Sequence, residues 1–233
     1  MVRRMGPVTM LEIGPGRWAH PSGALWLPSE RAVVIADVHL GFGWAQRRRG
    51  ELGALQDGLV PARMEAVIDE LAPRRIVLLG DIVHAPRPAP EERELITGVL
   101  RRLEARAELT LVRGNHDRGL ERDFSRLMVE RWETRALVAV HGDRLPSRLR
   151  TRHIVAGHWH PAYRVTDAAG VRHRLPVFAA GDALTVLPAF SPFAAGLDLR
   201  KGLPPEWKLR TNGSVRIYAA SGRRVMLIAE KAI

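Results

Sequence analysis

Apolar residues follow two rhythms along this chain. In the first half, unbroken apolar runs at Val33–Ala36, Ile76–Leu79 and Leu109–Val112 predict short buried strands, each stopping at a polar motif. Between the first two, the segment Pro61–Leu71 places Met64, Val67, Ile68 and Leu71 at the i, i+3, i+4, i+7 spacing of one helix face. Pro61 suits a first turn and Pro73 stops the helix. Between the second and third strands, Glu91–Arg106 puts Leu95, Val99, Leu100 and Leu103 on one face. Acidic residues open that segment and Arg closes it, as the helix dipole favours. Strands alternating with helices imply parallel pairing.

The second half is richer in strands. Leu137–Val140, His153–Ala156, Tyr163–Thr166, Val171–Leu175, Val177–Ala179 and Ala183–Leu187 read as short strands around Gly and Asp turns, with Gly181 and Asp182 turning a hairpin. Val215–Ala219 and Val225–Ala229 form a closing hairpin across Ser221 and Gly222. Arg148, Arg150 and Arg152 alternate on a further expected strand and so share a face. A βαβ half followed by a β-rich half predicts two sheets packed face to face with helices outside. At 233 residues and 46% hydrophobic, the chain has material for one compact domain spanning residues 1–233.

Charge changes this picture from a fold to a partner. The formal net charge of +11 creates a positive field that concentrates polyanions, so nucleic acid is the first partner expected. Lys occurs only at Lys201, Lys208 and Lys231; a GC-rich genome would explain the choice of Arg but not the excess of positive charge. The absence of Cys excludes disulfides and thiolate metal sites, leaving oxygen and imidazole nitrogen as metal donors. Arg3 and Arg4 are followed by Gly6 and Pro7 and not by an apolar stretch, unlike a secretory signal. Val177–Leu197 is broken by Gly181, Asp182, Pro188 and Pro192 and cannot make a spanning helix, so a cytoplasmic location without a membrane partner is expected.

Five motifs stand just past apolar strands: ADVHLG (Ala36–Gly41), GDIVH (Gly80–His84), GNHD (Gly114–Asp117), VHGD (Val140–Asp143) and GHWH (Gly157–His160). Ligands of open α/β sheets bind outside the carboxyl ends of the strands, where residues distant in sequence converge. Together the motifs hold six of the nine His, and their carboxylates, amide oxygen and imidazoles suit two borderline divalent cations such as Mn, Fe, Ni, Co or Zn. On an extended segment Asp37 and His39 would point the same way, and His158 and His160 would repeat that geometry. Asp81, behind a Gly that allows close approach, is placed to bridge two ions. Two such cations clamp a phosphoryl group and lower the pKa of a bound water.

The order D-x-H, G-D, G-N-H-D, H, G-H-x-H resembles that of the calcineurin-like metallophosphoesterases over about Val33 to Pro161. The resemblance implies an α/β four-layer αββα sandwich of two mixed β-sheets flanked by helices. It implies Asp37, His39 and His160 on one ion, Asn115, His141 and His158 on the other, and Asp81 between them. It further implies that His116 steadies the transition state or protonates the leaving oxygen, and that Asp117 orients His116. GFGWAQRRRG (Gly41–Gly50), GHWHPAYRV (Gly157–Val165) and LPAF (Leu187–Phe190) followed by Gly196 and Leu197 resemble the bacterial DNA-ligase-associated metallophosphoesterases. That likeness implies a phosphodiesterase or nuclease acting on DNA in repair, with a functional link to a ligase and a helicase; of the divalent cations named above, manganese is the one expected.

Arg47, Arg48 and Arg49 follow the first motif closely, and Trp44 offers a stacking face beside them, a combination suited to single-stranded nucleic acid. These three residues and His84 are the candidate substrate contacts. Two other functions compete. VHGD resembles the UDP-diacylglucosamine hydrolases and raises a nucleotide or nucleotide-sugar pyrophosphatase, although no apolar helical segment suits an acyl lid. A noncatalytic nucleic-acid-binding protein would require the motif set to have decayed, yet it is intact.

Overall fold

The computed structural model describes residues 8–51, 57–146, 152–194 and 196–232. Its first sheet has seven strands in chain order: β1 (Leu11–Gly14), β2 (Arg17–Ala19), β3 (Leu25–Leu27), β4 (Ala32–Ile35), β5 (Arg75–Leu79), β6 (Glu108–Val112) and β7 (Met128–Val129). The first four strands pair antiparallel, and β4 to β7 pair parallel. Parallel neighbours need long crossovers. These are supplied by α1 (Phe42–Arg48) and α2 (Leu59–Leu71) between β4 and β5, and by α3 (Pro90–Glu104) between β5 and β6.

The second sheet contains β8 (Trp132–Glu133), β9 (Leu137–Val140), β10 (His153–Ala156), β11 (Pro161–Thr166), β12 (Arg172–Ala180), β13 (Leu184–Val186), β14 (Leu197–Asp198), β15 (Ser214–Ser221) and β16 (Arg224–Ala232). Its order is β14-β11-β12-β13-β10-β9-β8, with β15 on β12 and β16 on β15. β9, β10 and β13 run parallel, whereas the other long pairs are antiparallel.

Side-chain alternation along the strands divides the core into three layers. Val34, Val77, Leu79 and Val112 of the first sheet meet Ala139, Val155, Phe178 and Tyr218 of the second, forming the slab between the sheets. The opposite face of the first sheet, with Val33, Ile35, Ile76 and Leu78, is covered by Met64, Val67 and Ile68 of α2 and by Ile96, Val99 and Leu100 of α3. Beyond the second sheet, Leu199 and Trp207 close over Ile154, Val186 and Ile217. That outer layer is thin, made by a 3-10 turn at Leu199–Lys201 and a short helix at Pro205–Lys208. The architecture is two mixed sheets flanked by helices, as expected of the metallo-dependent phosphatase fold.

Several sequence expectations are corrected by position. Val171–Leu175 and Val177–Ala179 are parts of one strand, β12, and Pro176 sits where that strand leaves β11 and joins β13 and β15. Arg152 lies outside any strand and pairs with Glu133 at 2.8 Å, while Arg148 and Arg150 fall outside the described residues. No helix among the described residues is long and apolar enough to cross a membrane.

Candidate metal centre

The motifs continue past the strand ends as loops stitched to one another by backbone hydrogen bonds. Asp37 N–H donates to Gly80 O, His39 N–H to Asp81 O, and Gly157 N–H to His141 O. From the far side, the Phe190 and Ser191 amides donate to Ala36 O and Asp37 O, so the LPAF segment holds the first motif in place. Both sheets therefore deliver their polar ends to one point.

The ligand-bearing backbone is not extended. Asp37, His39, Asp81, His158 and His160 have φ of 54°, 47°, 45°, 71° and 47°; Arg31 and Ala72 are the other non-Gly residues with positive φ among the described ones. The expected extended geometry of Asp37 with His39, and of His158 with His160, is thus replaced by left-handed turns. Each such residue costs about 1 kcal/mol or more and persists only where its surroundings over-determine it. Concentration of this strain in five candidate ligands is itself a mark of function. Gly80 (φ 73°) and Gly157 permit the crowding, since a Cβ on Gly80 would lie 2.3 Å from His141 Nδ1 and one on Gly157 would lie 2.6 Å from Asp37 Oδ2.

Two overlapping donor groups result. Asp37, His39, Asp81 and His160 bring one atom each within 4.8 Å of one another, and Asp81, His141 and His158 do the same. In the first group, His160 Nε2 is 3.4 Å from both Asp37 Oδ1 and His39 Nε2. In the second, His141 Nε2 is 3.0 Å from Asn115 Oδ1, 3.1 Å from His158 Nδ1 and 3.4 Å from Asp81 Oδ1. Asp81 belongs to both.

The protonation pattern tests whether this set fits cations. His141 Nδ1 donates to Leu79 O at 3.3 Å, which turns Nε2 toward Asn115 Oδ1 and Asp81 Oδ1. Burial, reinforced by the neighbouring His160, His84 and His116 against the opposing Asp37, lowers the His39 pKa to about 3, so this ring is neutral at pH 7. Burial and then His141 lower that of His158. Asp37 Oδ1 is buried without a hydrogen-bond partner among the described residues. Potential donor atoms thus crowd to within 3.0–3.4 Å of one another. Donors about 2.0–2.2 Å from a common cation stand at about that separation, so the residues fit divalent ions.

His116 sits at the rim of this set. Its amide donates to Asp81 Oδ1 at 3.1 Å, its Nδ1 donates to His84 O at 2.7 Å, and its Nε2 lies 3.9 Å from Asp81 Oδ2. The expectation that Asp117 orients this ring is corrected. The fully buried Asp117 carboxylate accepts from the amides of Ile82 (2.7 Å), Val83 (3.1 Å) and Gly114 (2.8 Å), tying the third motif to the second. Burial raises its pKa to about 6 despite these three bonds. The orienting carbonyl of His84 carries no sequence signal, because any residue supplies one. The His84 ring itself lies 5.5 Å from that of His39 and 6.3 Å from that of His116, at the margin of the site.

The basic run is less available than its sequence implies. Arg47 and Arg48 form the last turn of α1, and Arg47 pairs with Asp57 at 2.7 Å while lying over Trp44. Arg48 pairs with the fully buried Glu92 at 3.0 Å. Arg49 is exposed, with no acidic partner among the described residues. Two clefts flank the centre instead. One of about 520 Å³ runs from His160 past Arg63, Arg174 and Phe193; the other, of about 490 Å³, runs from Asn115 and His141 past Arg118 and Arg144.

Comparison with known proteins agrees with this geometry. Residues 30–177, more than half of the chain, match the calcineurin-like phosphoesterase family model, and the chain belongs to that family. It is a metal-dependent phosphoesterase, a hydrolase with a candidate centre for divalent metal. Among solved structures it is similar to the nuclease MPE of Pseudomonas putida. The identity is 26% and the TM-score 0.66, with 91% of this chain and 94% of that one covered. No curated protein matches the chain.

Proposed function

We propose that this protein is a two-metal phosphodiesterase that cleaves nucleic acid, with DNA in repair as its substrate and manganese as its preferred metal. One ion is assigned to Asp37, His39 and His160, the other to Asn115, His141 and His158, with Asp81 shared between them. The observation that carries the reading is the convergence of Asp81 Oδ1, Asn115 Oδ1 and His141 Nε2, whose ring is held there by the Leu79 carbonyl. When bound, the ions would supply Lewis-acid activation of water and neutralise charge developing on the phosphoryl oxygens.

The chain's own residues do the rest. The left-handed turns at Asp37, His39, Asp81, His158 and His160 hold the donors at fixed spacing. His116, its Nδ1 engaged by His84 O, keeps Nε2 free to hold a proton beside the leaving oxygen. Support for a nucleic-acid substrate comes from the net charge of +11 and from the likeness to a nuclease over 91% of the chain. The purified protein is expected to cleave single-stranded DNA with manganese. Hydrolysis of nucleotide-sugar pyrophosphates without DNA cleavage would overturn the assignment.

A further inference from the structure

The hairpin that leaves the centre at His160 has a face unlike the rest of the second sheet. Its strands, β11 and β12, pair antiparallel with Ala162 opposite Pro176, Tyr163 opposite Leu175, Arg164 opposite Arg174, Val165 opposite His173 and Thr166 opposite Arg172. Side chains alternate across a strand, so Arg164, Arg172 and Arg174 share one face with Ala162 and Pro176. The other face is fixed inward, because Tyr163 and Leu175 pack on the core beyond the sheet. Ala162, Arg174 and Pro176 line the same cleft as His160, so the face carrying the three Arg residues continues that cleft outward.

Charge on this face is unbalanced. Arg164 and Arg174 are directly opposite each other, an arrangement that like charges make unfavourable. All three side chains are exposed. Arg164 approaches Asp198 at 3.6 Å, but Asp198 is also paired with Arg200 at 3.1 Å. Arg172 and Arg174 have no acidic partner among the described residues. The tip of the hairpin is firm: Asp167 accepts from the Ala169 and Val171 amides at 3.0 and 2.9 Å and pairs with His173 at 2.7 Å. Arg47 and Arg48, by contrast, are already occupied by Asp57 and Glu92.

We infer that this hairpin is the track for the sugar–phosphate backbone of a nucleic-acid strand, leading it along the cleft to the candidate metal donors at His160. The inference rests on the nucleic-acid reading above and replaces the Arg47–Arg49 run as the main substrate contact. Same-face residues along a strand repeat every 6.5–7 Å or so, a stride comparable with that between neighbouring phosphates. Bound phosphates would relieve the repulsion between Arg164 and Arg174.

The test compares the metal-loaded full chain with Arg172→Gln/Arg174→Gln and Arg172→Lys/Arg174→Lys variants. Single-stranded DNA binding is followed by fluorescence anisotropy across a salt series. The Gln variant is expected to bind about tenfold or more weakly and to lose roughly 1.4 from the log–log salt slope, about 0.7 per phosphate contact. Its preference for DNA over a small activated diester, taken as a ratio of kcat/KM values, should fall with the affinity. The Lys variant, which keeps the charge, should recover most of the slope. Wild-type affinity and slope in the Gln variant would overturn the track while leaving the nucleic-acid reading intact. So would equal losses in the Gln and Lys variants, since these would mark a structural role. A wild-type protein that hydrolyses the small diester but neither binds nor cleaves DNA would overturn the nucleic-acid reading and the track with it.

Discussion

The Nδ1 atom of His116 donates a 2.7 Å hydrogen bond to the main-chain oxygen of His84. A main-chain acceptor survives substitution of the side chain that carries it, so the two His residues should respond differently to mutation. His116→Ala removes the ring proposed to protonate the leaving oxygen and is expected to lower kcat on an activated diester by about a hundredfold or more. His84→Ala keeps the carbonyl and should cost less than about tenfold. Equal losses, with metal content unchanged in both, would mean that the His84 ring and not its carbonyl matters.

Gly80→Ala tests whether close approach of the loops builds the site. The added Cβ would lie 2.3 Å from His141 Nδ1, on a backbone whose φ is 73°. Steric overlap and a left-handed backbone act together here, and the expected loss of stability exceeds about 2 kcal/mol. Thermal denaturation should show it, together with weaker metal binding. A variant as stable as wild type would show that the second motif can shift without disturbing His141.

The limits of the sequence are clearest at these same loops. Buried strands such as Leu137–Val140 and His153–Ala156 were legible to the residue, because a short apolar run between turn signals admits few alternatives. The three antiparallel strands between Leu11 and Leu27 were not foreseen, being three or four residues long with weak alternation. Which residues would gather was legible from their strand-end positions. How they gather was not: Asp and His have no intrinsic need for positive φ, so the left-handed turns are a product of tertiary packing. Asp117 shows the same limit, since a carboxylate beside a catalytic His reads as its partner until three backbone amides are found around it.

Arg48 and Arg49 are neighbours in sequence but opposites in environment. Arg48 neutralises the buried Glu92, whose carboxyl is pushed up in pKa by burial and which also accepts from the Ala89 amide at the start of α3. Arg48→Ala is expected to cost roughly 1–3 kcal/mol. Arg49→Ala should stay within about 0.5 kcal/mol, as for ordinary surface positions. Melting temperatures would read both; equal small shifts would show that Glu92 is not held by Arg48.

His153 supplies a pH dependence remote from the centre. Burial, with Arg17 adding to it, lowers its pKa from 6.5 to about 4, and its ring is held between Asp182 O and Thr185 Oγ1. The unfolded chain takes up this proton near pH 6.5, whereas the folded chain resists until about 4. The stabilisation from neutral His153 is therefore complete above about pH 6.5 and is lost as pH falls toward 4. Over that window wild type should lose on the order of 2 kcal/mol more than His153→Gln, measured by denaturant titration. Parallel curves for the two proteins would contradict this.

The two-metal assignment is tested most directly by counting ions and turnover together. Metal is removed with chelator, manganese is added back, and bound metal per chain is measured beside hydrolysis of an activated phosphodiester. The assignment predicts no turnover in the metal-free protein and recovery that completes at two ions per chain. Asp81→Ala, which removes the carboxylate common to both donor groups, should hold neither ion firmly and stay inactive. Chelator-resistant turnover by verified metal-free protein would contradict it, as would full activity in Asp81→Ala.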